Sequence, residues 1–156
     1  MSKVDASKFG VNITTVNNES YAVGDSNESF SIQSIAKALS LVMAYKHHGS
    51  EIWKRVGVEP SGTPFNSLVQ LEADRGIPRN PFINAGALVI CDILITELKN
   101  PKEEFIQFVR SLANSSVIDY SETIAQSEKE IGFRNVALCN FIKSFDNIEN
   151  KVEDVL

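Results

Sequence analysis

Strict alternation of apolar and polar side chains is confined to the first 25 residues of this chain, and nothing later in its 156 residues repeats it. Phe9, Val11, Ile13 and Thr15 alternate with Gly10, Asn12 and Thr14, and Tyr21 and Val23 resume the pattern after Asn17-Asn18. A period of two is that of a half-buried strand, so residues 8 to 25 are predicted to form a β-hairpin. Two strands alone are marginal in water and present unpaired edges. The hairpin therefore needs further strands or a helical cover.

Beyond it the pattern is helical. From Ser34 to His48, the apolar residues Ile35, Leu39, Val42 and Met43 fall at helical spacing, predicting a core-facing stripe with Gly49 as the stop. Residues 56 to 81 carry Pro60, Gly62, Pro64, Gly76, Pro78 and Pro81, which exclude long regular elements and mark an ordered loop. Asn84 to Leu98 reads as a buried helix. Asn100-Pro101-Lys102-Glu103 reads as the start of another, reaching Leu112, with Asn100 as cap and Glu103 closing the box. Further helices are expected over Glu122 to Glu130, Asn135 to Phe145 and Lys151 to Leu156. The whole reads as one domain over 1–156, with the hairpin at 8–25 and a mainly helical region at 30–156.

Composition narrows the function. With 43% hydrophobic and 22% charged residues the chain is of globular type. Its net charge is −5 and its 15 Lys and Arg form no basic stripe, which argues against nucleic acid and acidic membranes as partners. No apolar run approaches the ~20 residues of a spanning helix, and Met1-Ser2-Lys3-Val4-Asp5 is unlike a signal peptide; a cytoplasmic location is the expectation. Cys91 and Cys139 lack metal or redox spacing and read as plain buried thiols, and no metal or cofactor is expected. The sequons at Asn12, Asn18, Asn27 and Asn114 then carry no chemistry.

Ser34 and Lys37 carry the chemical signal. Residues three apart in a helix lie about 60° apart on one face, so the lysine amine can reach the serine hydroxyl. A serine alcohol is a poor nucleophile at neutral pH, and a desolvated lysine can accept its proton. Chance supplies this spacing readily in a chain of such length, and a capping serine beside a solvated lysine is the plain alternative. Phe30-Ser31-Ile32-Gln33 places Ser34 at a helix start, where its N–H can face a developing oxyanion.

Four longer stretches add to this: Phe30 to Lys37; Arg55-Val56-Gly57-Val58-Glu59-Pro60-Ser61-Gly62-Thr63-Pro64-Phe65-Asn66-Ser67-Leu68; Pro78-Arg79-Asn80-Pro81-Phe82-Ile83-Asn84-Ala85-Gly86-Ala87; and Gln126-Ser127-Glu128 with Arg134-Asn135. In this order they closely resemble the serine-dependent glutaminases, from near Lys3 to the last residue. The resemblance implies a β-lactamase-like α+β fold, an antiparallel sheet packed on a helical region with the active site between them. It also implies hydrolysis of L-glutamine to L-glutamate and ammonia through a glutamyl ester, and a homotetramer. Ser34 would be the nucleophile and Lys37 its activator. Asn84, Glu128 and Asn135 would hold the substrate's ammonium and carboxylate groups and position its amide.

Those residue types suit the task, since an ammonium needs an anion such as Glu128 and a carboxylate needs donors such as the asparagines. Each has a plain alternative: Asn84 opens a helix, where asparagine is common, and Glu128 lies in a charged stretch. The loop from Glu59 to Asn66 is expected near the serine, with no role assigned. His47 and His48 end a helix and suit its dipole better than acid–base work.

Members of this family are about twice as long. The expectation is a truncated domain lacking a leading tyrosine, two later tyrosines and the glycine-rich strand with the second oxyanion donor. Losing one oxyanion donor costs ~10² to 10³ in rate and an acid–base group ~10² to 10⁴, so the chain alone is expected to be poorly active. Two other classes compete: a fragment that binds or complements a second chain, and a penicillin-recognising serine hydrolase, which also uses Ser-x-x-Lys. The substrates of the latter lie outside the cytoplasm.

Overall fold

The computed structural model describes residues 5 to 65 and 67 to 156, and the chain divides into two compact units with the boundary between Ser31 and Ile32. In the first, the alternating segment forms a hairpin of β1 (Gly10–Thr14) and β2 (Ser20–Gly24). The strands are antiparallel, with Val11 opposite Val23 and Ile13 opposite Tyr21. Period-two patterning thus located both strands. Phe9, Val11, Ile13, Tyr21 and Val23 are nonetheless exposed.

The second unit is helical: α1 (Ala36–His48), α2 (Leu68–Ala73), α3 (Asn84–Glu97), α4 (Pro101–Ala113), α5 (Glu122–Ile131), α6 (Phe133–Lys143) and α7 (Val152–Val155). Its axis is α3. Ala85, Gly86, Leu88, Val89, Ile90, Asp92, Ile93 and Leu94 are buried there, so this helix is apolar nearly all round. Helices α1, α6 and α7 pack against it, and Met43, Ile52, Val56, Leu138 and Ile142 complete the core.

Four expectations need correction. Helix α1 begins at Ala36, and Ser34 lies in the 3-10 turn Gln33–Ile35 that leads into it. The stripe is rotated as well: Ile35 and Val42 are 65% and 54% exposed, while Met43 and Ala44 are buried. The inward side runs through Ser40, Met43 and Ala44 because Lys37, on that side, engages the start of α3. Gly49 does stop the helix, at φ 62. At the start of α4, Glu104 rather than Glu103 accepts from the Asn100 N–H, at 2.9 Å, because Glu103 is taken by Gln107 one turn on. Helix α6 spans Phe133–Lys143, two residues earlier than expected at each end. Asp146 adopts φ 60 just beyond it, and the Asn147 N–H turns back to the Ile142 carbonyl. The proline-rich stretch is mostly loop, and among its described residues holds only the six-residue α2.

Gly86 is required by a close approach: a Cβ there would lie 2.0 Å from the Asn80 carbonyl oxygen and 2.8 Å from Pro81 Cα. Both are backbone atoms, so nothing can swing aside. Gly86→Ala is expected to cost at least about 1–3 kcal/mol as overpacking. Urea unfolding should show a lower midpoint at unchanged m-value; an unchanged midpoint would contradict the close approach.

Among the described residues no helix is long and apolar enough to cross a membrane. Both cysteines are free, and burial first, then Asp92, pushes the Cys91 thiol up to about 11, far from a reactive thiolate.

Candidate active site

Ser34 is exposed in the turn before α1. Its neighbour Gln33 has φ 47, in the left-handed region that costs a non-glycine residue on the order of 1 kcal/mol. Strain of this kind is often kept at functional positions. Lys37 follows in the first turn of α1 and is partly buried, its amine turned toward the start of α3.

The surroundings of that amine are specific. Lys37 Nζ donates to Asn84 Oδ1 at 2.7 Å and to the Phe82 carbonyl at 3.0 Å. The Phe65 ring lies 6.0 Å away. Among the described residues Lys37 forms no ion pair. Burial without a compensating anion holds its pKa below the ordinary lysine value of 10.5. Two neutral acceptors suit a neutral amine, whose two N–H bonds they satisfy. The remaining tetrahedral position is then a lone pair that can take a proton.

Asn84 is the junction. It is the first residue of α3, yet its side chain makes no cap there. Oδ1 receives Lys37, and Nδ2 donates to Asn135 Oδ1 at 3.3 Å. The turn before α3 is closed instead by Asn80, whose Oδ1 accepts from the N–H groups of Phe82 and Ile83 at 3.0 and 3.1 Å. The Asn84 N–H goes to the Phe65 carbonyl, at 3.1 Å. The plain reading of Asn84 as a capping residue is thereby replaced by one in which its amide bonds two side chains and keeps a second Nδ2 hydrogen for a further acceptor.

Of the five residues singled out in sequence, three are joined in one chain of hydrogen bonds, Lys37 to Asn84 to Asn135. No hydrogen bond links Ser34 to Lys37 among the described residues, where the amine is turned to Phe82 and Asn84. Glu128 is exposed on α5 and is not bonded to the other four among the described residues. It shares with Asn135 the wall of an open cleft of about 1450 Å³ between α4, α5, α6 and α7. Asn135 therefore faces the cleft while touching the lysine's partner. Glu59 to Phe65 does approach the site, through Phe65; Asn66 lies outside the described residues. His48 bonds Glu97 at 2.7 Å, away from this chain of bonds. Among the described residues no cluster of His, Cys, Asp and Glu could hold a metal ion.

Three contributors had no role assigned from sequence: the Phe82 carbonyl, the Phe65 ring and Asn80. Backbone acceptors leave no residue-type signal. Asn80 did offer one, since Asn before Pro favours a turn closed by its own side chain.

The family pattern of glutaminases matches residues 1–156 of the chain. This chain belongs to the glutaminase family. The glutaminase of Saccharophagus degradans is 56% identical over 156 residues, covering all of this chain and 51% of that protein. That of Christiangramia forsetii is 52% identical with the same coverage. Among solved structures, the probable glutaminase ybaS superposes with a TM-score of 0.90 at 26% identity, over 99% of this chain and 50% of that one. A Bacillus glutaminase gives 0.86 at 34% identity, over 95% and 50%. The chain spans about half the length of the curated relatives it matches, and over that half it has the α+β fold of the family.

Proposed function

We propose that this chain carries the nucleophile-bearing part of a serine-dependent glutaminase. Ser34 Oγ attacks the side-chain carboxamide carbon of L-glutamine as its proton passes to Lys37 Nζ. Lys37 returns that proton to the departing nitrogen, the C–N bond breaks, and ammonia leaves a glutamyl ester on Ser34. Water then attacks the ester, giving its proton to Lys37 and thence to Ser34 Oγ, and glutamate departs. Glu128 would hold the substrate's ammonium, and Asn84 and Asn135 its carboxylate and amide.

The observation that carries this reading is the Lys37 amine, bonded among the described residues only to neutral oxygens and partly desolvated, one turn beyond an exposed serine. Glutamine as substrate comes from the family. The same resemblance extends the proposal to a cytoplasmic homotetramer, which sedimentation analysis would check.

A glutamine isostere with an electrophilic diazoketone in place of the carboxamide tests the nucleophile. Ser34 is expected to be the labelled residue by peptide mass spectrometry, with label lost in Ser34→Ala and formed ~10² to 10⁴-fold more slowly in Lys37→Met. Labelling should accelerate with pH as Lys37 loses its proton, with a midpoint below 10.5. Label elsewhere, or none, removes Ser34 from the role. A second reading is a chain that binds or complements another polypeptide. Stoichiometric label without ammonia release from glutamine would select it.

A further inference from the structure

We propose that Asn80 is a positioning residue for the Ser34–Lys37 pair, acting through the turn that presents the Phe82 carbonyl and the Asn84 amide together to the lysine amine. The inference rests on the proposed function and adds to it the residue that builds the lysine's cradle.

Asn80 is bound at every face. Its Oδ1 accepts from two consecutive N–H groups, Phe82 and Ile83, while its Nδ2 donates to the Glu59 carbonyl at 2.8 Å. Its own carbonyl lies so close to Gly86 that no Cβ fits between them. The first pair of bonds sets the direction of the chain at Phe82, whose carbonyl reaches Lys37, and at Ile83, which precedes Asn84. The Glu59 bond ties this turn to the loop that carries Phe65, and the Asn84 N–H bond to Phe65 O fastens it a second time. All three groups around Lys37 Nζ thus hang on one side chain. They are neutral, and no carboxylate pairs with the amine among the described residues.

Only a short acceptor can do this. Serine places an oxygen where it can accept from N–H groups two and three residues on; glutamine, one methylene longer, cannot keep that geometry. The fold would tolerate all three amides and alcohols differently from the site, and that separates positioning from mere stability.

The experiment is competitive acylation of Lys37 across pH in the full chain, read by mass spectrometry, beside diazoketone labelling of Ser34. In Asn80→Ala, water is expected to reach the amine, moving its titration toward that of an ordinary lysine and cutting acylation at pH 8 by ~10-fold, one unit of pKa. Ser34 labelling should fall in parallel. Asn80→Ser, which keeps the acceptor but loses the bond to Glu59, should restore most of both, and Asn80→Gln should not. If Asn80→Ala fails to fold, the Ser and Gln variants carry the comparison. A Lys37 titration unchanged in Asn80→Ala or Asn80→Gln overturns the positioning role while leaving the nucleophile proposal intact. An ordinary titration and unlabelled Ser34 in the parent chain overturn both.

Discussion

Asn84→Asp is expected to silence the lysine at neutral pH although it changes one amide nitrogen into oxygen. The substituted carboxylate would sit where Asn84 Oδ1 now receives Lys37 Nζ at 2.7 Å. An opposite charge at such range raises a lysine's pKa by ~1–3 units, so the free-amine fraction at a given pH falls ~10 to 10³-fold. The direction opposes the present state, in which burial holds the Lys37 pKa below 10.5. The variant also loses the Nδ2 donor to Asn135. Asn84→Ala is the informative partner, because it removes the acceptor without adding charge and leaves the titration much nearer the parent's. Acylation of Lys37 against pH should rank parent, Ala variant and Asp variant in falling reactivity at pH 8, with diazoketone labelling of Ser34 following the same order. An Asp variant as reactive as the parent would mean that the 2.7 Å contact does not govern the amine.

That contact joins residues 47 apart in sequence, and no local pattern could announce it. What the residues did announce was local. The hairpin followed from period-two alternation, because each strand's facing is decided by its neighbours two positions away. The stop at Gly49 and the start at Pro101 followed from backbone geometry that single residues impose. The facing of α1 did not, because Ile35 and Val42 make an equally good helical stripe, and only the engagement of Lys37 with α3 decides which side turns in. Likewise the Ser34–Lys37 spacing was visible, but the reason this lysine differs from any other lies in Phe82, Asn84 and Phe65, none of which is near it in the chain. Resemblance to a family brought Asn84 and Asn135 to notice, and the hydrogen bonds between them give that notice a physical content.

Asp92 is the other residue whose meaning is tertiary. A carboxylate inside the apolar run of α3 needs a cation and donors, and the fold supplies them from far along the chain. Asp92 is fully buried, and its carboxylate accepts from Arg55 Nη2 at 2.5 Å, the Glu149 N–H at 3.0 Å, and the Asn150 N–H and side-chain amide at 2.9 and 3.0 Å. Arg55 also reaches the Asn147 carbonyl at 2.9 Å, and Asn147 Nδ2 returns to the Arg55 and Gly76 carbonyls. Residues 147 to 150 are thus fastened to α3 about 12 Å along its axis from Asn84, at ~1.5 Å per residue. Asp92→Ala leaves a largely buried guanidinium and two backbone N–H groups without their acceptor, and is expected to cost about 3–5 kcal/mol. The lower part of that range is the more apt, because Arg55 keeps Glu149 at 3.3 Å and some exposure. Pairing Asp92→Leu with Arg55→Met should recover only part of the loss, since the Glu149 and Asn150 N–H groups stay unpaired at ~1–3 kcal/mol each.

The pH dependence has a definite sign. Burial pushes the Asp92 pKa up, but the bonds from Arg55, Glu149 and Asn150 outweigh it, and the net value lies below 3.8. A carboxylate depressed by folding stabilises the native state fully above its unfolded pKa, and that contribution fades as pH falls through 3.8 toward the folded value. Urea unfolding should therefore show parent and Asp92→Ala well separated at pH 7 and closer together at pH 3. A gap that stays constant, or widens in acid, would place the stabilisation in packing around Asp92 rather than in its charge.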